Sequence, residues 1–113
     1  MELDTKLTDA IEEAGFKITA EGENEYYFSK YSSAGQDFGF SVDIGDAVEQ
    51  LADNILDYFN DFEPSAEAML WLDESGHGKN GAPYEMRDVL DDMIECRSFI
   101  QELHEIVQSF IQQ

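Results

Sequence analysis

Basic residues are scarce in this sequence. Of 113 residues only six are Lys or Arg, against 26 Asp and Glu, so the formal charge is −20 with both histidines neutral. Nucleic-acid binding runs on Lys and Arg neutralising phosphates, and a surface of this sign repels DNA and RNA. Anionic membranes are excluded for the same reason. Cysteine is nearly absent as well. Cys96 stands alone and cannot close an internal disulfide, which fits a reduced, cytosolic protein. No apolar run approaches the roughly 18 residues of a membrane span, and Met1-Glu2-Leu3-Asp4 is neither basic nor apolar enough for a signal peptide.

What is present is core material. Eight Phe, five Tyr and one Trp, with 42% hydrophobic residues, supply more apolar surface than a disordered acidic tail carries. The length is that of one domain, and residues 1–113 are expected to form it.

Periodicity predicts the elements. Leu3, Leu7, Ala10, Ile11 and Ala14 share one side of a short helix that Gly15 stops. Phe16 to Ala20 alternates at period two, Glu21 to Asn24 reads as a turn, and Tyr26 to Tyr31 is rich in strand formers. A second turn over Ser32 to Gly35 leads into Phe38, Phe40, Val42 and Ile44, which alternate with Asp37, Gly39, Ser41 and Asp43. From Asp46 a helix carries Val48, Leu51, Ala52, Ile55, Phe59 and Phe62, ending before Pro64. Ser65 is placed to cap a further short helix through Leu72. After a loop over Asp73 to Pro83, one long helix runs from Tyr84 to about Ile111. The expected fold is α+β: a short N-terminal helix, a three-stranded antiparallel meander, then three helices packed on one face of the sheet, the long C-terminal helix last. On that helix Met86, Val89, Met93, Cys96, Ile100, Leu103, Val107 and Phe110 match a heptad seam. The seam is either intramolecular core or the interface of a homodimer, so monomer and homodimer both remain open.

Motifs for chemistry are incomplete. Gly76-His77-Gly78-Lys79-Asn80-Gly81 is a literal G-x-G-x-x-G, but a dinucleotide site needs a strand before it and here a helix precedes. A tight connection with glycines at positive φ is the expected reading, and a contact surface built on His77 and Lys79 is the other. Asp73-x-Ser75-x-His77-Gly78 begins like a calcium loop but places Tyr84 where a bidentate Glu belongs. Cys96, His77 and His104 have no paired zinc spacing, and two histidines with one seam cysteine make no triad. No metal, no cofactor and no catalytic residue is expected.

The distribution of acids is the informative feature. Glu49, Asp53, Asp57 and Asp61 recur every four residues, stepping about 6 Å along a helix with no basic residue between them. Three successive like-charge pairs oppose helix stability. The long helix adds Asp88, Asp91, Asp92 and Glu95, with Arg87 and Arg97 its only cations. Solubility needs a net charge of only about 2 to 8 in magnitude, and self-repulsion at −20 works against compaction. Fixed carboxylates can stand where a duplex presents its phosphates, roughly one charge per 1.7 Å of axis. No single helix reaches that density, so the expectation is that the Glu49 to Asp61 ridge and the Asp88 to Glu95 face act together against a basic nucleic-acid-binding protein.

Small size, extreme acidity, an α+β pattern and an aromatic-rich core together resemble the DNA-mimic inhibitors of phages and mobile elements, the anti-CRISPR and antirestriction proteins. The segment Trp71-Leu72-Asp73-Glu74-Ser75-Gly76-His77-Gly78-Lys79-Asn80-Gly81-Ala82-Pro83 looks like a stretch in short proteins of bacterial mobile elements. The first resemblance implies a non-enzymatic inhibitor in a bacterial host cell. Its partner would be a defence nuclease, foremost a CRISPR effector and alternatively a restriction enzyme. An acidic adaptor whose apolar seam binds a protein partner is the rival reading.

Overall fold

The computed structural model describes residues 2–113, with α1 over Thr5–Glu13, β1 over Lys17–Ala20, β2 over Glu25–Tyr31 and β3 over Asp37–Asp43. Three helices follow: α2 over Val48–Asp61, α3 over Pro64–Met69 and α4 over Met86–Ile111. The fold is α+β, in the order the alternating and helical patterns predict. Asp4 caps α1 by accepting from the Lys6 amide at 2.8 Å. Gly15, at φ 100°, ends it with the Phe16 amide reaching back to the Ile11 carbonyl.

The sheet has the order β1-β2-β3 and is antiparallel throughout. Phe28 pairs with Ile18 on one side and Phe40 on the other, so the inward residues of all three strands stack in one row. Helices cover this face. Tyr58 of α2 stacks on Phe40 at 4.6 Å, Phe62 meets Phe38 edge-on at 5.8 Å, and Phe99 of α4 meets Phe16 at 6.4 Å.

Helix α4 supplies the spine of the core. Val89, Met93, Cys96, Ile100, Leu103 and Val107 are all buried, so the heptad seam is intramolecular core along that stretch. Only Met86 at its start is exposed. Its 26 residues span about 39 Å and set the long axis of a body measuring 47 × 25 × 24 Å. Among the described residues no helix is long and apolar enough to cross a membrane.

Helix boundaries differ from the sequence expectation: α1 starts at Thr5 and not Leu3, α3 ends at Met69 and not Leu72, and three further differences have a visible cause. Ser65 does not cap α3, because Pro64 already occupies the first helical turn, where its missing N–H costs nothing. Helix α2 starts at Val48 and not Asp46, since Asp46 donates its amide to Gln50 Oε1 at 2.7 Å and stays in the turn. Helix α4 starts at Met86 and not Tyr84, because the Tyr84 carbonyl accepts from Gly78 and its ring stacks on His77 at 4.0 Å.

Candidate functional site

The α2 ridge stands as its spacing predicts. Leu51, Ala52 and Ile55 are buried, which turns Glu49, Asp53, Asp57 and Asp61 outward, and all four are exposed. No ion pair reaches them among the described residues, where the pairs are Lys30 with Glu102 at 2.8 Å and Arg87 with Asp88 at 3.7 Å. Arg97 contacts α2 through Phe59, about 200° around the helix from Asp57 and Asp61. Its guanidinium sits 4.0 Å above the Phe59 ring.

The α4 acids divide into different roles. Asp88 and Asp91 are exposed. Glu95 is half-buried and clasps the β2–β3 turn, accepting from the Ser33 amide at 2.9 Å and from Ser33 Oγ at 2.6 Å. Asp92 is not on the surface at all. It is 4% exposed, and neither of its carboxylate oxygens has a hydrogen-bond partner. Its inward turn follows from position, because Asp92 lies four residues before Cys96 and seven before Phe99, both buried. That register was visible in the heptad pattern and marks Asp92 as a seam residue more than a member of the acidic face.

The two acidic sets do not merge into one surface. Arg97 is two residues beyond Glu95, or about 200° around the helix. Arg97 faces α2 whereas Glu95 faces the β2–β3 turn, so the sets open on different sides of α4. A partner that used the ridge and the Asp88 to Glu95 face together would have to reach both sides of α4. Asp88, Asp91, Asp92 and Glu95 form one side of a separate groove of about 530 Å³, whose other walls are Ser33 and Ala34 of the turn and Gly81 and Pro83 of the long loop. Nothing in the sequence linked those wall residues to α4.

Burial pushes the Asp92 carboxyl above its ordinary pKa, and the Glu95 charge adds to this. The Ser32 hydroxyl offsets part of it, without the geometry of a hydrogen bond to either oxygen. In the unfolded chain the group titrates near pH 3.9. Below that value both states are neutral and no charge is buried, whereas above the folded pKa the folded state carries the full penalty. Asp92→Asn is therefore expected to raise the melting temperature at pH 7.5 by roughly 4 °C, about 1 kcal/mol, with the gain vanishing near pH 4. Parallel thermal melts at the two pH values check this. Equal melting temperatures at pH 7.5 would mean that the carboxylate is solvated.

Cys96 lies beneath this group. Burial, with Asp92 and Glu95 nearby, pushes its thiol up to about 12, so it carries no thiolate near neutral pH.

The glycine-rich loop is wired to itself. The Asp73 carboxylate accepts from Ser75 Oγ at 2.6 Å, the Ser75 amide at 2.9 Å and the His77 amide at 3.1 Å. The Ser75 hydroxyl foremost, then the His77 amide, hold its pKa below the usual carboxylate range. Lys79 donates its amide to the Trp71 carbonyl, and Leu72 bridges to Gly78. Gly76, Asn80 and Gly81 adopt positive φ, as a tight connection requires. Among the described residues no three His, Cys, Asp or Glu side chains come together to hold a metal ion.

No protein-family model, curated protein or solved structure matches this chain. Of the six cations, Lys30 is drawn inward over the Phe16 and Phe99 rings and Arg97 over Phe59, which leaves Lys6, Lys17, Lys79 and Arg87 exposed and distributed over four separate elements. They make no stripe for a phosphate backbone.

Proposed function

We propose that this protein is a non-enzymatic inhibitor that presents carboxylates in place of phosphates and occludes the DNA groove of a bacterial defence nuclease, foremost a CRISPR effector. One observation carries the reading. Four carboxylates at one-turn spacing stand exposed and unpaired along the outer side of α2, on a helix with no basic residue. A folded protein gains no stability from such a row, and a basic groove would be steered to it. The adaptor reading has less support, because the seam residues Val89, Met93, Cys96, Ile100, Leu103 and Val107 are buried within the chain.

Purified CRISPR effectors and restriction enzymes, assayed for DNA cleavage with and without this protein, provide the test. Inhibition of at least one is expected, competitive with DNA and weakening steeply between 50 and 300 mM salt as screening rises. Inhibition insensitive to salt, or none across the panel, would overturn the reading.

A further inference from the structure

The groove beside α4 has a feature that the α2 ridge lacks, the buried Asp92 in its lining. At 4% exposure, with no well-formed hydrogen bond to either oxygen, Asp92 holds a carboxylate that the chain meets with a single hydroxyl, that of Ser32, and with no cation. Glu95 differs, because each of its oxygens already accepts from Ser33. What Glu95 does is fix the turn as a rigid wall. Asp88 and Asp91 stand exposed at the rim. Arg87 does not fill the groove, since its side chain is 84% exposed and its Nε approaches only Asp88.

The missing cation has a definable chemistry. The carboxylates are not gathered tightly enough for a bare metal ion, yet they line about 530 Å³, room for a side chain and its flanking backbone. A guanidinium suits a deep carboxylate with others at the rim, because its planar fork offers five donors and is more weakly hydrated than an ammonium. We infer that this groove receives an arginine side chain of a protein partner, with Asp92 anchoring the guanidinium and Asp91 and Asp88 holding it at the rim. That the arginine belongs to the inhibited enzyme rests on the proposed function; the preference for a guanidinium does not.

The probe is the blocked tripeptide acetyl-Gly-Arg-Gly-amide, titrated into the ¹⁵N-labelled protein at pH 7.5 and physiological salt. Saturable amide shifts are expected at Ser33, Ala34, Gly81, Asp91 and Asp92, with half-saturation at about 1 to 10 mM for so small a ligand. The lysine tripeptide should bind several-fold more weakly, and Asp92→Asn should weaken the arginine peptide about tenfold through loss of a charge-assisted pair. Asp91→Asn should weaken it less, and Glu49→Gln on the α2 ridge should leave it unchanged. Shifts spread equally over the ridge and the groove, equal binding of the lysine peptide, or undiminished binding to folded Asp92→Asn would each overturn the inference. Free arginine binding about tenfold tighter than the peptide would replace the protein partner by a small molecule and overturn it too. Peptide binding without inhibition of any nuclease would leave the groove standing and remove the decoy, whereas inhibition without peptide binding would do the reverse.

Discussion

Replacing Glu49, Asp53, Asp57 and Asp61 together by Gln and Asn is expected to give a folded protein that no longer inhibits its target. The substitutions keep side-chain size and hydrogen-bonding capacity, and they leave the buried face of Leu51, Ala52 and Ile55 untouched. Three like-charge pairs disappear, each costing a few tenths of a kcal/mol, so the melting temperature should rise by a few degrees. Function should move the other way. Removing four of the charges that steer encounter should slow association with the inhibited enzyme by about 10- to 100-fold at low salt, with a flatter salt dependence. Surface plasmon resonance at 50 and 300 mM salt reads the rate, and circular dichroism confirms the fold. Neutralising Asp88 and Asp91 in parallel separates the two surfaces, since they open on different sides of α4. A folded ridge variant that associates and inhibits like the parent would make the ridge a solubility feature.

Gly78→Ala is expected to have the largest effect on stability. Gly78 does not need glycine for a left-handed backbone. It needs it for space, because a Cβ there would lie 1.7 Å from the Pro83 carbonyl oxygen and 2.8 Å from its carbon. Both are backbone atoms and cannot swing aside. Accommodating the methyl would part the Gly78 amide from the Tyr84 carbonyl, the bridge to Leu72 and the stack of His77 on Tyr84, which together hold α3 against the start of α4. A cost of about 2 to 3 kcal/mol, or roughly 10 °C in melting temperature, follows from overpacking of this kind. Gly22→Ala is the control, since nothing lies within 4 Å of its added Cβ. Its melting temperature should match the parent's. A Gly78→Ala protein as stable as that control would show that the loop has slack.

The middle glycine of the G-x-G-x-x-G string thus packs the loop against itself. Its spacing suggested a ligand motif only because glycine serves backbone approach of any kind, to a pyrophosphate or to a proline carbonyl. Excluding the dinucleotide reading required only the order of elements, and that order was legible from Trp71 and Leu72 onward.

Periodicity fixes local geometry, and with it the elements and the faces they bury. The alternation of Phe38, Phe40, Val42 and Ile44, and the spacing of three and four through α2 and α4, were enough to place the sheet, the helices and the outward turn of Glu49, Asp53, Asp57 and Asp61. The expectation that nucleic acid is no direct partner came from net charge alone, before any fold was known. Tertiary structure alone decided how the acidic elements stand to one another, because that depends on which flank of α4 meets α2 and which meets the β2–β3 turn. It also decided how far Asp92 is enclosed: spacing from Cys96 and Phe99 sets it on the buried flank of α4, but only packing shows that neither carboxylate oxygen gains a well-formed hydrogen bond. Helical spacing assigns a residue to a face; what covers that face is set by contacts that a one-dimensional pattern does not contain.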